Sequence, residues 1–173
     1  FIHAGVVAVN TPGNSASGKA ELTERFGDAT GWAKTVGPFL RENGFNGLGA
    51  WSNTNLLARP EYQLPQARIV NFMGDYGKQR GGVFQKPGHL GYPENAIFVF
   101  DPDFPAFADK YAQKLSAEAD NPGLIGWFSD NEMPLYDKTL DGFLRLPADD
   151  AGGKEARRWL AGRQQRATPD TTA

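Results

Sequence analysis

Apolar residues in this chain gather into short continuous runs, and helical spacing fills much of the sequence between them. Residues 1–10 (FIHAGVVAVN) form one such run, the pattern of a parallel strand buried on both faces. The stretch 11–27 is rich in Gly, Ser and Asn and reads as a loop. Trp32, Val36, Phe39 and Leu40 then recur at helical spacing. Asp28 or Thr30 can cap that helix, Gly44 closes it, and Gly37-Pro38 inside it predicts a kink or break. A short strand follows at 45–51 (FNGLGAW), where glycine allows close approach of backbone or ligand. Residues 54–66 suit a weak, Pro-interrupted helix, and 67–73 (ARIVNFM) a third strand.

From 74 to 95 the periodicity fades, predicting a long loop of the kind that usually carries function. Tyr76, Phe84, His89 and Tyr92 within it argue for order. Residues 96–100 read as a brief strand. Asp101-Pro102-Asp103 is a helix start, with Phe104, Phe107, Ala108, Tyr111 and Leu115 on one face. Asn121-Pro122-Gly123 turns the chain into a further strand at 124–133. A polar loop with Asp137 and Asp141 follows, then a helix over 153–165 with Ala156, Trp159 and Leu160 on its apolar side. The longer elements therefore alternate strand and helix four times, which predicts an α/β fold with a parallel sheet. Four such units are half of an eight-fold barrel, which typically takes about 250 residues. The alternative is a small open doubly wound sheet. No Gly-x-Gly-x-x-Gly or phosphate loop supports nucleotide binding.

Composition narrows the chemistry. The 173 residues suffice for one domain with a core. The net charge of −2 gives no reason to expect nucleic acid as a partner and suits a neutral substrate. Cysteine is absent, so disulfides and cysteine-ligated metals are excluded. No apolar stretch approaches the roughly 20 residues of a membrane span. Phe1 opens on an apolar run with no Met and no basic segment, so the chain is expected to begin inside a domain, with any export signal out of view.

The segment 124–133, Leu-Ile-Gly-Trp-Phe-Ser-Asp-Asn-Glu-Met, carries the clearest chemistry. An apolar run ends in Asp130, Asn131 and Glu132, and barrel enzymes place catalytic groups at the C-terminal ends of strands. Glycoside hydrolysis needs two carboxyl groups flanking the scissile bond. Glu132 can be the acid/base, with Asn131 bonding the adjacent sugar hydroxyl. The plainer reading is a strand followed by a polar loop. Asp130 reads as a strand-end residue bonding loop backbone. His89 can bind substrate or simply be exposed, and Trp51 can stack a sugar ring or belong to the core. His3 reads as a hydrogen-bonded core histidine. Lys78, Arg80 and Lys86 suit a solvated loop, and two isolated histidines argue against a metal site.

Four segments together resemble one family: residues 40–52 (LRENGFNGLGAWS), 75–89 (DYGKQRGGVFQKPGH), 98–104 (FVFDPDF) and 124–135 (LIGWFSDNEMPL). They look like the N-terminal half of the catalytic domain of an agarase-like glycoside hydrolase. That family belongs to the retaining (β/α)8-barrel clan whose fourth strand ends in Asn-Glu. The resemblance implies that residues 1–173 supply about the first four βα units of a TIM barrel. It implies Glu132 as acid/base and Asn131 as a sugar contact. Trp51, Ser52 and the 75–92 loop, with Gln85, Lys86 and His89, would line the substrate cleft. It implies no cofactor and no metal. The partners it implies are a β-linked galactan and the remaining half of the barrel, from the same polypeptide or a second chain. Its location would be secreted or periplasmic.

The family's nucleophile is a Glu on a later strand, which this sequence does not contain. Thr168-Pro169-Asp170 also starts a helix just before the last residue, so a fragment or split chain, inactive alone, is expected. Hydrolysis of another β-glycan or β-galactoside, and non-catalytic carbohydrate binding by a barrel fragment, remain the alternatives.

Overall fold

The computed structural model describes residues 4–86 and 88–167, so His3, Pro87 and the 168–170 helix start lie outside the described residues. It is an α/β structure whose chain forms two compact units, Phe1–Val70 with Ser116–Phe128, and Asn71–Leu115 with Ser129–Ala173.

The first unit holds a sheet of β1 (Gly5–Val6), β2 (Gly47–Leu48), β3 (Gln66–Val70) and β4 (Leu124–Ser129), side by side in sequence order. β1 and β2 run parallel with Gly5 opposite Gly47, and β2 and β3 run parallel with Leu48 opposite Gln66. β1 is shorter than the 1–10 run, and it is not buried on both faces: Val7, beside it, is 58% exposed. β1 is the outer strand of the order, which leaves apolar positions open where a central strand would cover them.

α1 (Ala16–Phe26) occupies most of the expected 11–27 loop. Ser15 caps it by accepting from the Gly18 amide at 3.0 Å, and its Leu22 and Phe26 pack against the core. α2 (Ala29–Glu42) starts at Asp28, which accepts from the Gly31 amide at 2.7 Å, and runs on through Pro38. α3 (Thr54–Leu57) is a single turn in the expected weak helix. Trp32, Ala33 and Leu40 of α2 meet Leu48, Leu57, Tyr62 and Leu64 in the core of this unit.

The second unit begins with α4 (Phe72–Arg80), so the third strand stops at Val70 and the long loop starts later than the sequence predicts. Met73 and Tyr76, one turn apart, are buried with Tyr92 and Phe98. α5 (Phe104–Leu115) half-buries the five residues of its predicted face and exposes the rest. Phe104 and Phe107 set their rings 5.3 and 5.2 Å from that of Tyr76. Residues 96–100 are not a strand. They turn, burying Ala96 and Phe98 and leaving Val99 and Phe100 exposed. Two more helices follow, α6 (Thr139–Arg145), where a loop was expected, and α7 (Ala151–Ala167). Phe143, Leu146 and Ala156 join Ala96 in a second core cluster, while Trp159 is 52% exposed. Among the described residues no helix is long and apolar enough to cross a membrane.

Candidate functional site

The polar residues after β4 do not extend the strand; they turn sharply. Asp130 has φ 62° and Glu132 φ 47°, both in the left-handed region that residues with a Cβ seldom occupy. Two attachments hold the turn. Met133 packs against the cluster of Met73, Tyr76, Tyr92 and Phe98. Asp130 accepts hydrogen bonds from the first turn of α4: Oδ1 from the Met73 amide at 3.0 Å and the Gly74 amide at 3.2 Å, Oδ2 from Met73 at 3.2 Å. Those amides have no partner within the helix, and the positive end of a helix favours a carboxylate. Burial raises the Asp130 carboxyl pKa; the amide bonds pull it down, and the Asp75 charge adds to the rise. The Tyr92 hydroxyl is buried without a hydrogen-bond partner, and burial together with the Asp130 charge pushes it up to about 12.

Glu132, carried on this turn, has a side chain 73% exposed, and its Oε2 lies 3.6 Å from His89 Nδ1. That is within charge range when His89 is protonated and too long for a hydrogen bond. Asn131 beside it is half-buried.

His89 belongs to the loop between α4 and Tyr92. The Phe84 amide donates to the Gly91 carbonyl at 3.1 Å, and Gly88 to Leu90 at 3.3 Å, so the loop folds back on itself. Gly91, at φ 103°, could not carry a Cβ, which would lie 2.9 Å from the Gln85 carbonyl oxygen. Gln85, Lys86 and His89 are exposed on this loop. The second unit thus brings His89 to Glu132 through a loop that the sequence marked as ordered.

Trp51 and Ser52 belong to the first unit and follow β2. Trp51 has φ 59° and is 53% exposed. Its carbonyl accepts from Asn10 Nδ2 at 2.8 Å, and Ser52 Oγ accepts from the Val9 amide at 3.3 Å. The indole is therefore an exposed aromatic surface on a tied turn, not a core residue. Sequence reasoning passed over Tyr92 except as a sign of order; its signal was a large aromatic closing a glycine-rich loop. Among the described residues no group of three or more His, Asp or Glu side chains could hold a metal ion.

No protein-family model matches the sequence, and no curated protein matches it. Among solved structures, the chain is similar to the crystal structure of BpGH50, a glycoside hydrolase of family 50, with TM-score 0.73 and 18% identity. The likeness covers 96% of this chain and 38% of that one. The chain thus shares the fold of part of that structure, and it spans well under half of that protein's length.

Proposed function

We propose that this chain supplies the first four strand–helix units of a (β/α)8-barrel glycosidase of the retaining type, with Glu132 as its general acid/base. One observation carries the reading: a tethered, left-handed turn directly after the fourth strand of the sheet presents Glu132 outward, with His89 3.6 Å away. Glu132 protonates the glycosidic oxygen as the bond breaks, then takes a proton from the incoming water. Asn131 bonds the hydroxyl beside the reacting carbon. Gln85, Lys86 and His89 offer donors to sugar hydroxyls; for Trp51 and Ser52, in the first unit, a substrate contact rests on the four-segment resemblance alone. The nucleophile is a second carboxylate, about 5–5.5 Å from Glu132, from a segment beyond these four units in the same polypeptide or a second chain.

The four-segment resemblance favours a β-linked galactan of the agarose type as substrate and a secreted or periplasmic location. The test is Glu132→Gln in the complete protein. Hydrolysis of agarose-type oligosaccharides should fall by roughly 100- to 10,000-fold. A variant that hydrolyses them at near wild-type rate rules out the acid/base assignment. A panel of defined β-glycans separates galactan from other substrates.

A non-catalytic, sugar-binding reading draws on the 73% exposure of Glu132, since a general acid usually sits in drier surroundings. Oligosaccharide binding by calorimetry, with no hydrolysis by the complete wild-type protein, would favour that reading.

A further inference from the structure

We infer that Asp130 is the positioning residue for the proposed acid/base: by clamping the turn after β4 to the first turn of α4, it fixes where the Glu132 carboxylate stands. The inference rests on the reading of Glu132 given above. Left-handed residues at 130 and 132, with only Asn131 between them, keep their shape when the surroundings over-determine it. Met133 anchors one end of the turn in the core, and Asp130 anchors the other through three contacts to the Met73 and Gly74 amides. A helix end is a rigid partner, since its amides cannot swing as a lysine or arginine side chain can. The titratable groups acting with Asp130 are Asp75, Tyr92 and Tyr111. The Tyr92 hydroxyl, buried and unpartnered, lies within the same electrostatic neighbourhood. A partly buried carboxylate bonded only to backbone is an expensive way to close a turn, unless the position of the next residues matters.

The experiment compares Asp130→Ala, Asp130→Asn and Glu132→Gln in the complete protein on two substrates. One is a galactan oligosaccharide, whose sugar leaving group needs protonation. The other is the dinitrophenyl glycoside of the same sugar, whose leaving group departs unprotonated. Asp130→Ala should lower kcat/KM on the oligosaccharide by on the order of 100-fold, as expected for a displaced proton donor. It should leave kcat/KM on the dinitrophenyl glycoside near wild type, and Glu132→Gln should show the same selectivity. Asp130→Asn, whose carbonyl oxygen can still accept from both amides, should recover much of the loss. If Asp130→Ala fails to fold, Asp130→Asn carries the test, with a smaller loss of the same selectivity.

Equal losses on the two substrates overturn the positioning role. So does an unaffected Asp130→Ala beside an impaired Glu132→Gln, and that result leaves the acid/base reading standing. A fully active Glu132→Gln overturns both.

Discussion

Asp101 and Asp130, both in the second unit, respond to pH in opposite senses. Burial alone would raise the Asp101 carboxyl, yet hydrogen bonds from Arg80 and Tyr76 and the Arg80 charge outweigh it and hold the pKa below the usual range. Its contribution to stability is therefore present above the unfolded pKa and disappears as pH falls through the depressed folded value. Asp101→Asn should cost about 2 kcal/mol at neutral pH and progressively less in acid, measured by denaturant unfolding across pH. A cost independent of pH would contradict this.

Asp130 has a raised pKa, so its contribution is full below the unfolded value and is lost as pH rises through the folded one. Asp130→Asn should keep or raise the thermal midpoint at neutral pH, with the difference vanishing in acid. A clear drop at neutral pH would refute it. The sequence reads Asp130 as a strand-end residue bonding loop backbone; the structure gives it backbone amides in the first turn of α4 instead. The sequence could not say that the backbone lies 56 and 57 positions earlier, because that pairing exists only once α4 has formed.

Helices and strands differed in how plainly the sequence announced them. The α2 and α5 patterns were legible because their apolar residues repeat at helical spacing, with most of them on the covered side, although Phe39 of α2 is 58% exposed. α1 was hidden by its Gly/Ser/Asn-rich flank and because none of its own residues is fully buried. α4 was hidden by Gly74 and Gly77, although its buried Met73 and Tyr76 lie one turn apart. Residues 96–100 misled through the opposite fault, an apolar run whose members serve a turn. α2 also explains why Gly37 precedes Pro38: a Cβ at 37 would sit 2.7 Å from the Tyr62 ring. Gly37→Ala should destabilise the fold by about 1–3 kcal/mol through overpacking. Asp28→Ala, which removes the cap of the same helix, should cost about 1 kcal/mol. Denaturant midpoints would check both, and a neutral result at either position would contradict the packing described.

At the scale of the whole molecule, the sheet of the first unit has β1 and β4 as its outer strands, with Val7, Ile125 and Phe128 each about half exposed or more. The sequence predicted a first strand buried on both faces, and the apolar residues beside β1 and on β4 lack such cover. This supports the proposal that further strands and helices complete the fold. Prepared alone, residues 1–173 should bind a hydrophobic dye and self-associate with concentration, as exposed edges and patches do. Ile125→Lys should weaken both, in dye titration and sedimentation. A monomeric, dye-silent chain would count against a missing cover.

The left-handed backbone at Glu132 has a further consequence over evolutionary time. Glycine or asparagine would sit there with less strain, by about 1 kcal/mol, so stability alone disfavours glutamate at this position. A lineage that no longer used the site would be expected to lose the glutamate early, to a residue that relaxes the turn. Under the proposed function, selection must hold the acid against a steady pull from the fold, and the presence or absence of glutamate at this position across related sequences would test that.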